Sequence, residues 1–442
     1  MSWAGGCGRP ELEKGSIPPI VRPPANSPRS VTRVLRRSLP SFPVLAATAL
    51  ALVGCQSPSS QPGTGVPSSC QAQAPLIEPV ETDILFIIDD SGSMAREQQR
   101  VAADLPVFVQ ELQQTGGVEH DFRVGLTTTS VYSAYQDYSS IAYYYYPEAG
   151  WLRRLPLVDG GPGTERYLDG TDPQLVQRFS LAVVGVGVNG SGQETPFEAT
   201  RIALENAAAP AESDGGPANH GFLRDGARLM VIVVTDEDDC SETRRPPLVY
   251  YNDVDGEDFC INHQDLLTPV GDYFTLLENL SDGQGRNRDV IWGALAPVSL
   301  IDKRAQKAIC TDPNGATRTC NVDCPTSSAP GYRLHDMAAL FDVALDNLYS
   351  ICALTYHDQL LTLADIAAIP QVLSLNQNVP DPRLLQVQLA RGDGGTQVCT
   401  VANGGLAYEP PPDGGFPRIQ FLGSCLRRQT DTRVTVRMFC AG

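Results

Sequence analysis

Residues 83–94 read DILFIIDDSGSM. The apolar run 84–88 shows no polar alternation, the pattern of a strand buried on both faces at the centre of a parallel sheet. It ends in carboxylates, and Asp89-Asp90-Ser91-Gly92-Ser93 makes a short polar turn. From Met94 the apolar positions Val101, Leu105, Phe108, Val109 and Leu112 follow helical spacing and stop before Gly116-Gly117, with a kink expected at Pro106. Strand, loop and helix follow one another, so Asp89, Ser91 and Ser93 can turn their oxygens into one crevice at the strand's carboxyl end.

Outward from this unit, 122–126, 229–234 and 289–298 read as further strands, the third of the four ending at Thr235-Asp236. Thr195-Pro196-Phe197-Glu198 opens a helix running to about residue 208, with Pro at the first helical position and Glu198 placed for a capping box. Residues 172–188 lean towards helix although 181–188 would suit a strand; 265–280 and 333–367 read as helical. The alternation predicts an α/β fold, a doubly wound and mostly parallel sheet with helices on both faces. Residues 131–170 form a Tyr- and Gly-rich insertion, and 310–324 a Cys-bearing loop. Beyond Pro370 the texture changes to short alternating stretches, Leu385/Val387/Leu389, Ile419/Phe421 and Val434/Val436/Met438, which predict a small Cys-rich β module at the C-terminus. The expected boundaries are 1–55, 56–78, 79–367 and 368–442.

The formal charge is −18; residues 1–54 hold seven basic and two acidic groups, leaving 26 and 49 in 55–442, a net of −23. Such acidity argues against a nucleic-acid or anionic-lipid surface. Only three of the 33 basic residues are Lys (Lys14, Lys303 and Lys307), which nearly excludes lysine chemistry. Arg33, Arg36 and Arg37 precede an apolar run at 42–53 that ends in Leu52-Val53-Gly54-Cys55, the order of an export signal. The run is too short to span a bilayer. Its ending resembles a bacterial lipobox, which implies a lipid on Cys55 and anchoring in the cell envelope, with the outer membrane expected. The Pro- and Gly-rich 1–30 lies upstream of where such a signal begins, so a start near Val31 is expected. Residues 56–78 read as a flexible linker.

Apart from Cys7 and Cys55, ten cysteines remain: Cys70, Cys240, Cys260, Cys310, Cys320, Cys324, Cys352, Cys399, Cys425 and Cys440. An even number in an exported chain predicts up to five disulfides. Cys240 with Cys260, and one pair among Cys399, Cys425 and Cys440, are expected. Only Cys320-x3-Cys324 approaches the spacing of a zinc site.

The oxygens of Asp89, Ser91 and Ser93 suit a hard cation, and Thr195 and Asp236 can reach the same crevice from other loops. DILFIIDDSGSM (83–94), GSGQETPFEA (190–199) and VIVVTDEDD (231–239) together resemble the three segments of a von Willebrand factor type A (vWA) domain over about residues 79–365, including exported lipoproteins of the myxobacterial kind. The resemblance implies a Rossmann-like sheet and a metal-ion-dependent adhesion site. Ser91 and Ser93 would bind Mg2+ (or Mn2+/Ca2+) directly, Asp89 and Asp236 directly or through water, and Thr195 in the ligand-competent state. Glu194 and Glu198 flank Thr195; Glu237, Asp238 and Asp239 follow Asp236 and either add a second cation or enlarge the negative field.

The expected act is therefore cation-dependent binding of a protein or glycan that offers a carboxylate, with no catalysis. A structural role in an envelope complex, the metal site being non-essential, is the alternative. Phosphoryl transfer fits less well. Ser91 stands where a haloacid-dehalogenase-like enzyme needs a second Asp, and there is no P-loop and no Gly-x-Ser-x-Gly elbow. The acidic stretch 252–258 lacks the spacing of a calcium loop and reads as solvated. Arg391-Gly392-Asp393 reads as a turn. Tyr143, Tyr144, Tyr145 and Tyr146 either line a recognition face or pack on the sheet.

Overall fold

A computed structural model describes residues 77–439 except 116, 119, 138–139, 211–218, 250–258, 312–316, 323, 328 and 412–415. The export signal, Cys55, the linker up to residue 76, Cys70, Cys440 and the acidic stretch 252–258 lie outside the described residues, as do the side chains of Cys310 and Cys320.

Strand β1 (Val80–Ile88) is buried continuously from Thr82, as its apolar run requires. Helix α1 (Ala95–Gln114) follows and continues through Pro106, burying Val101, Leu105, Phe108, Val109 and Leu112. β2 (His120–Thr128) pairs parallel with β1. The Tyr-rich insertion is not irregular: β3 (Tyr132–Asp137) and β4 (Ser140–Tyr145) form a hairpin, and β5 (Tyr167–Asp169) adds to β2 as an antiparallel edge strand. Residues 172–188 give helix α2 (Leu175–Gly185), and α3 (Pro196–Ala208) starts at its proline. Next come β6 (Arg228–Val234), the single turn α4 (Phe259–Asn262), α5 (Val270–Glu278) and β7 (Val290–Ala296). The helix expected over 265–280 begins only after Pro269, which has no N–H to join a preceding turn.

The Cys-bearing loop contains a second hairpin, β8 (Lys307–Thr311) with β9 (Thr317–Asn321). The helix expected over 333–367 is two helices, α6 (Tyr332–Phe341) and α7 (His357–Ala368), separated by β10 (Leu348–Ser350). A three-residue edge strand is too short to show a period, and the chain turns into it through Leu345 at φ 60°.

The sheet order is β10-β7-β6-β1-β2-β5, parallel throughout except for β5. Alternate residues of β1 divide between two cores. Ile84, Phe86 and Ile88 meet α1, α2 and α7, with Phe86 edge-on to Phe108 at 5.6 Å between ring centres; Leu85 and Ile87 meet the face holding Phe197, Tyr273, Trp292 and Met337. The chain steps from β1 to β2 on one side and returns to β6 on the other, so the order reverses at the carboxyl ends of β1 and β6. In open α/β sheets such a reversal is where neighbouring loops part and a crevice is expected. Register brings Ile88, Thr128 and Val234 level, so three loops leave the same edge.

Beyond α7, β11 (Val372–Ser374), β12 (Leu385–Ala390), β13 (Thr396–Thr400), β14 (Leu406–Glu409), β15 (Arg418–Phe421) and β16 (Arg433–Met438) make two three-stranded antiparallel sheets, β11-β15-β14 and β13-β12-β16. Their shared core includes Val80 of β1, and Arg418 reaches Asp282 at 2.6 Å in a buried ion pair. All described residues belong to one compact unit. Three disulfides are present among them, Cys240–Cys260, Cys324–Cys352 and Cys399–Cys425, which fits folding in an oxidising environment. Among the described residues no helix is long and apolar enough to cross a membrane.

Candidate functional site

The first loop continues the ladder for one residue: the Asp89 N–H donates to the Val234 carbonyl at 2.9 Å, which carries its side chain into the β1/β6 gap. Asp89 is fully buried, and its carboxylate accepts from the Ser91 N–H and the Thr235 hydroxyl, both at 2.7 Å. Ser91 Oγ lies 3.2 Å from Ser93 Oγ, and the Ser93 hydroxyl donates to Asp236 Oδ1 at 2.9 Å across 143 residues of sequence. Asp89, Ser91, Ser93 and Asp236 therefore form one connected group of oxygens. Thr195, also buried, is held differently. Its hydroxyl donates to the Thr129 carbonyl at 2.7 Å, at the end of β2, and makes no hydrogen bond to the other four. A hydroxyl that gives its hydrogen away keeps its oxygen lone pairs, so Thr195 remains an oxygen donor.

The second loop is pinned against the first. The Gly190 N–H donates to the Asp90 carbonyl at 2.7 Å, and a Cβ at Gly190 would stand 2.3 Å from Asp90 Oδ1, so only glycine fits this approach. Ser130 joins both loops, donating to Asp90 Oδ1 and accepting from the Ser191 N–H, each at 2.7 Å. Gln193 fastens the loop outward, accepting from Ala134 N–H at 2.8 Å and donating to the Val249 carbonyl at 3.1 Å.

The third loop settles the role of the acidic run. Asp239 accepts from the Phe197 N–H at 3.1 Å and Ser241 accepts from the Glu198 N–H at 2.9 Å, so the open N–H groups of α3 are capped from another part of the chain. The capping box expected within 195–198 does not form. Thr195 bonds Thr129 instead, and Glu198 pairs with Arg201 and Arg245 and accepts from the Tyr273 hydroxyl. Asp238 accepts from the Arg333 N–H in the first turn of α6, and Asp239 pairs with the buried Arg333 guanidinium at 2.9 Å. Two of the three carboxylates after Asp236 thus hold helices.

What distinguishes the crevice is unbalanced charge. Asp83, at the opposite end of β1, is equally buried but pairs with Arg224 at 2.7 Å. Among the described residues Asp89, Glu194 and Asp236 have no ion pair. Burial, then the neighbouring Glu237, pushes the Asp89 carboxyl up to about 7. Burial together with the charges of Asp89 and Glu237 pushes Asp236 up to about 8. Burial and Glu237 raise Glu194 far above the carboxylate range, and its Oε1 has no hydrogen-bond partner. An orphaned buried oxygen and a donor set made wholly of oxygen fit a hard cation. Among the described residues no three His, Cys, Asp or Glu side chains converge as a metal site; the connected group has two carboxylates and two hydroxyls.

No protein-family model matches the chain, and no curated protein matches it. Among solved structures, that of the human COPII-coat protein Sec24c is similar over 84% of this chain and 44% of its own, at 11% identity and a TM-score of 0.30, too low to bear on fold or function. The chain spans less than half the length of that protein.

Sequence reasoning missed Thr235, Ser130 and the Arg153 side chain 3.7 Å from Asp90, since nothing in their local pattern marks them. Of the other motifs, Arg391 is buried against Asp431 at 2.8 Å, so Arg391-Gly392-Asp393 presents no free guanidinium. Tyr143, Tyr144 and Tyr145 lie exposed on β4, and the half-buried Tyr146 stacks edge-on against Tyr144 at 4.8 Å between ring centres.

Proposed function

We propose that this chain is an exported, lipid-anchored vWA-like protein of the cell envelope, binding a protein or glycan ligand through a divalent cation, Mg2+ or a relative, at the β1/β6 crevice. Asp89, Ser91, Ser93 and Asp236 would hold the ion, with Thr195 as a further oxygen. The cation supplies local positive charge in an acidic surface and so draws a carboxylate from the partner. The observation that carries the reading is the Ser93–Asp236 hydrogen bond at 2.9 Å, which joins two loops far apart in sequence at the switch point of the sheet. The act is binding, without catalysis.

The test is thermal unfolding of the full chain with Mg2+, Mn2+ or EDTA, beside Asp89→Ala. Stabilisation by either cation that EDTA reverses and Asp89→Ala lacks is the expected result. Equal unfolding temperatures in all conditions end the reading. A pull-down from envelope extract with and without cation then identifies the partner.

A further inference from the structure

Glu194, just before α3, and Glu198, in its first turn, are both buried, yet only Glu198 has cationic partners. The backbone at Glu194 is gripped from two sides. Its carbonyl accepts from the Cys240 N–H at 2.7 Å, and the next residue, Thr195, gives both its N–H and its hydroxyl to Thr129. The side chain is 1% exposed, and its Oε1 is left without a donor. The charges that act on it, Glu237, Asp89 and Asp236, are all acidic and all belong to the crevice or its rim.

A buried carboxyl oxygen among other acids stays desolvated at a cost until a hydrogen-bond donor reaches it, whether or not the group holds a proton. No three carboxylates converge on one point here, so Glu194 is not placed as a third direct ligand beside Asp89 and Asp236. Small hard cations keep several of their waters, and those waters are strong donors. We propose that Glu194 acts one layer out, its free Oε1 accepting a hydrogen bond from water carried by the cation and so orienting the hydrated ion in the crevice. Acceptors in that layer set metal affinity by about 10- to 100-fold. The proposal rests on the cation reading above and adds to it a positioning residue.

The experiment is calorimetric titration of the full chain with MgCl2 and with MnCl2, for the native sequence, Asp89→Asn and Glu194→Met, with near-UV circular dichroism reporting the fold. Glu194→Met, similar in length but without an oxygen acceptor, is expected to keep its fold and bind about 10- to 100-fold more weakly, while Asp89→Asn shows no binding. A Glu194→Met dissociation constant within twofold of the native one overturns the proposal. Should Glu194→Met fail to fold, Glu194→Asp keeps the carboxyl and withdraws both oxygens by a methylene. A loss of about tenfold in that folded variant supports the proposal, and unchanged binding overturns it. Absence of binding by the native chain overturns the cation reading itself, and this proposal with it.

Discussion

Asp239→Ala tests whether the acidic run after β6 is structural. Asp239 has no exposed surface and accepts from Phe197 N–H, Ser241 N–H, Ser241 Oγ and Arg333 Nε. Truncation leaves a guanidinium that is 4% exposed without its carboxylate, for which a cost of about 3–5 kcal/mol is usual. It also strands the Phe197 N–H at the start of α3, adding roughly 1 kcal/mol. The sum, about 4–6 kcal/mol, is a large share of a typical domain's stability. Arg333→Met gives up the guanidinium's place over the Phe197 ring but leaves Asp239 three of its four donors, so it costs less, about 2–3 kcal/mol. Combining the two removes both charges, and a coupling of about 2–3 kcal/mol is expected. Urea unfolding followed by circular dichroism, disulfides intact, measures all three variants. A cost below about 1 kcal/mol for Asp239→Ala, or strictly additive costs in the double variant, refutes the assignment.

Three residues earlier the sign reverses. Asp236→Asn keeps an acceptor for Ser93 while removing charge from a crevice without an ion pair, so in EDTA it should stabilise by about 1–3 kcal/mol and lose the gain from Mg2+. Melting curves with and without the cation check both signs. Gly190→Ala drives a methyl to 2.3 Å from Asp90 Oδ1 and 2.6 Å from Ser130 Oγ, and should cost about 1–3 kcal/mol and weaken cation binding, as urea midpoints and titration would read. His120 is held neutral: burial, with Arg228 and Arg224 adding repulsion, lowers it to about 4, and its ring nitrogens face the Leu112 carbonyl and the Thr82 hydroxyl at 3.0 Å each. The unfolded ring takes a proton near 6.5 and the folded ring only near 4, so its contribution is complete above pH 6.5 and falls by about 3 kcal/mol as pH drops to 4. In His120→Gln, the urea midpoint should fall less over that range; an unchanged slope refutes the point.

The central strand, the buried stripe of the first helix and the oxygen-bearing turn between them were legible because each depends on neighbours within about one helical turn or a few strand residues. Burial of 84–88 follows from having no polar side chain to show to water, and a strand so buried must lie inside a sheet. The Cys240–Cys260 bond spans 20 residues and was within reach of local reasoning. Partnership was not. Thr195 and Glu198 carry the letters of a capping box, yet α3 is capped by Asp239 and Ser241 because a distant loop offers fixed acceptors where the local hydroxyl is already committed to Thr129. Asp236, Glu237, Asp238 and Asp239 are one acidic run in sequence. Their environments part in space: Asp238 and Asp239 meet Arg333, while Asp236 meets Ser93 and other acids. Charge type is a property of the residue, but whether that charge is balanced depends on which loops the register of β1, β2 and β6 brings to one edge, and no local pattern encodes that register.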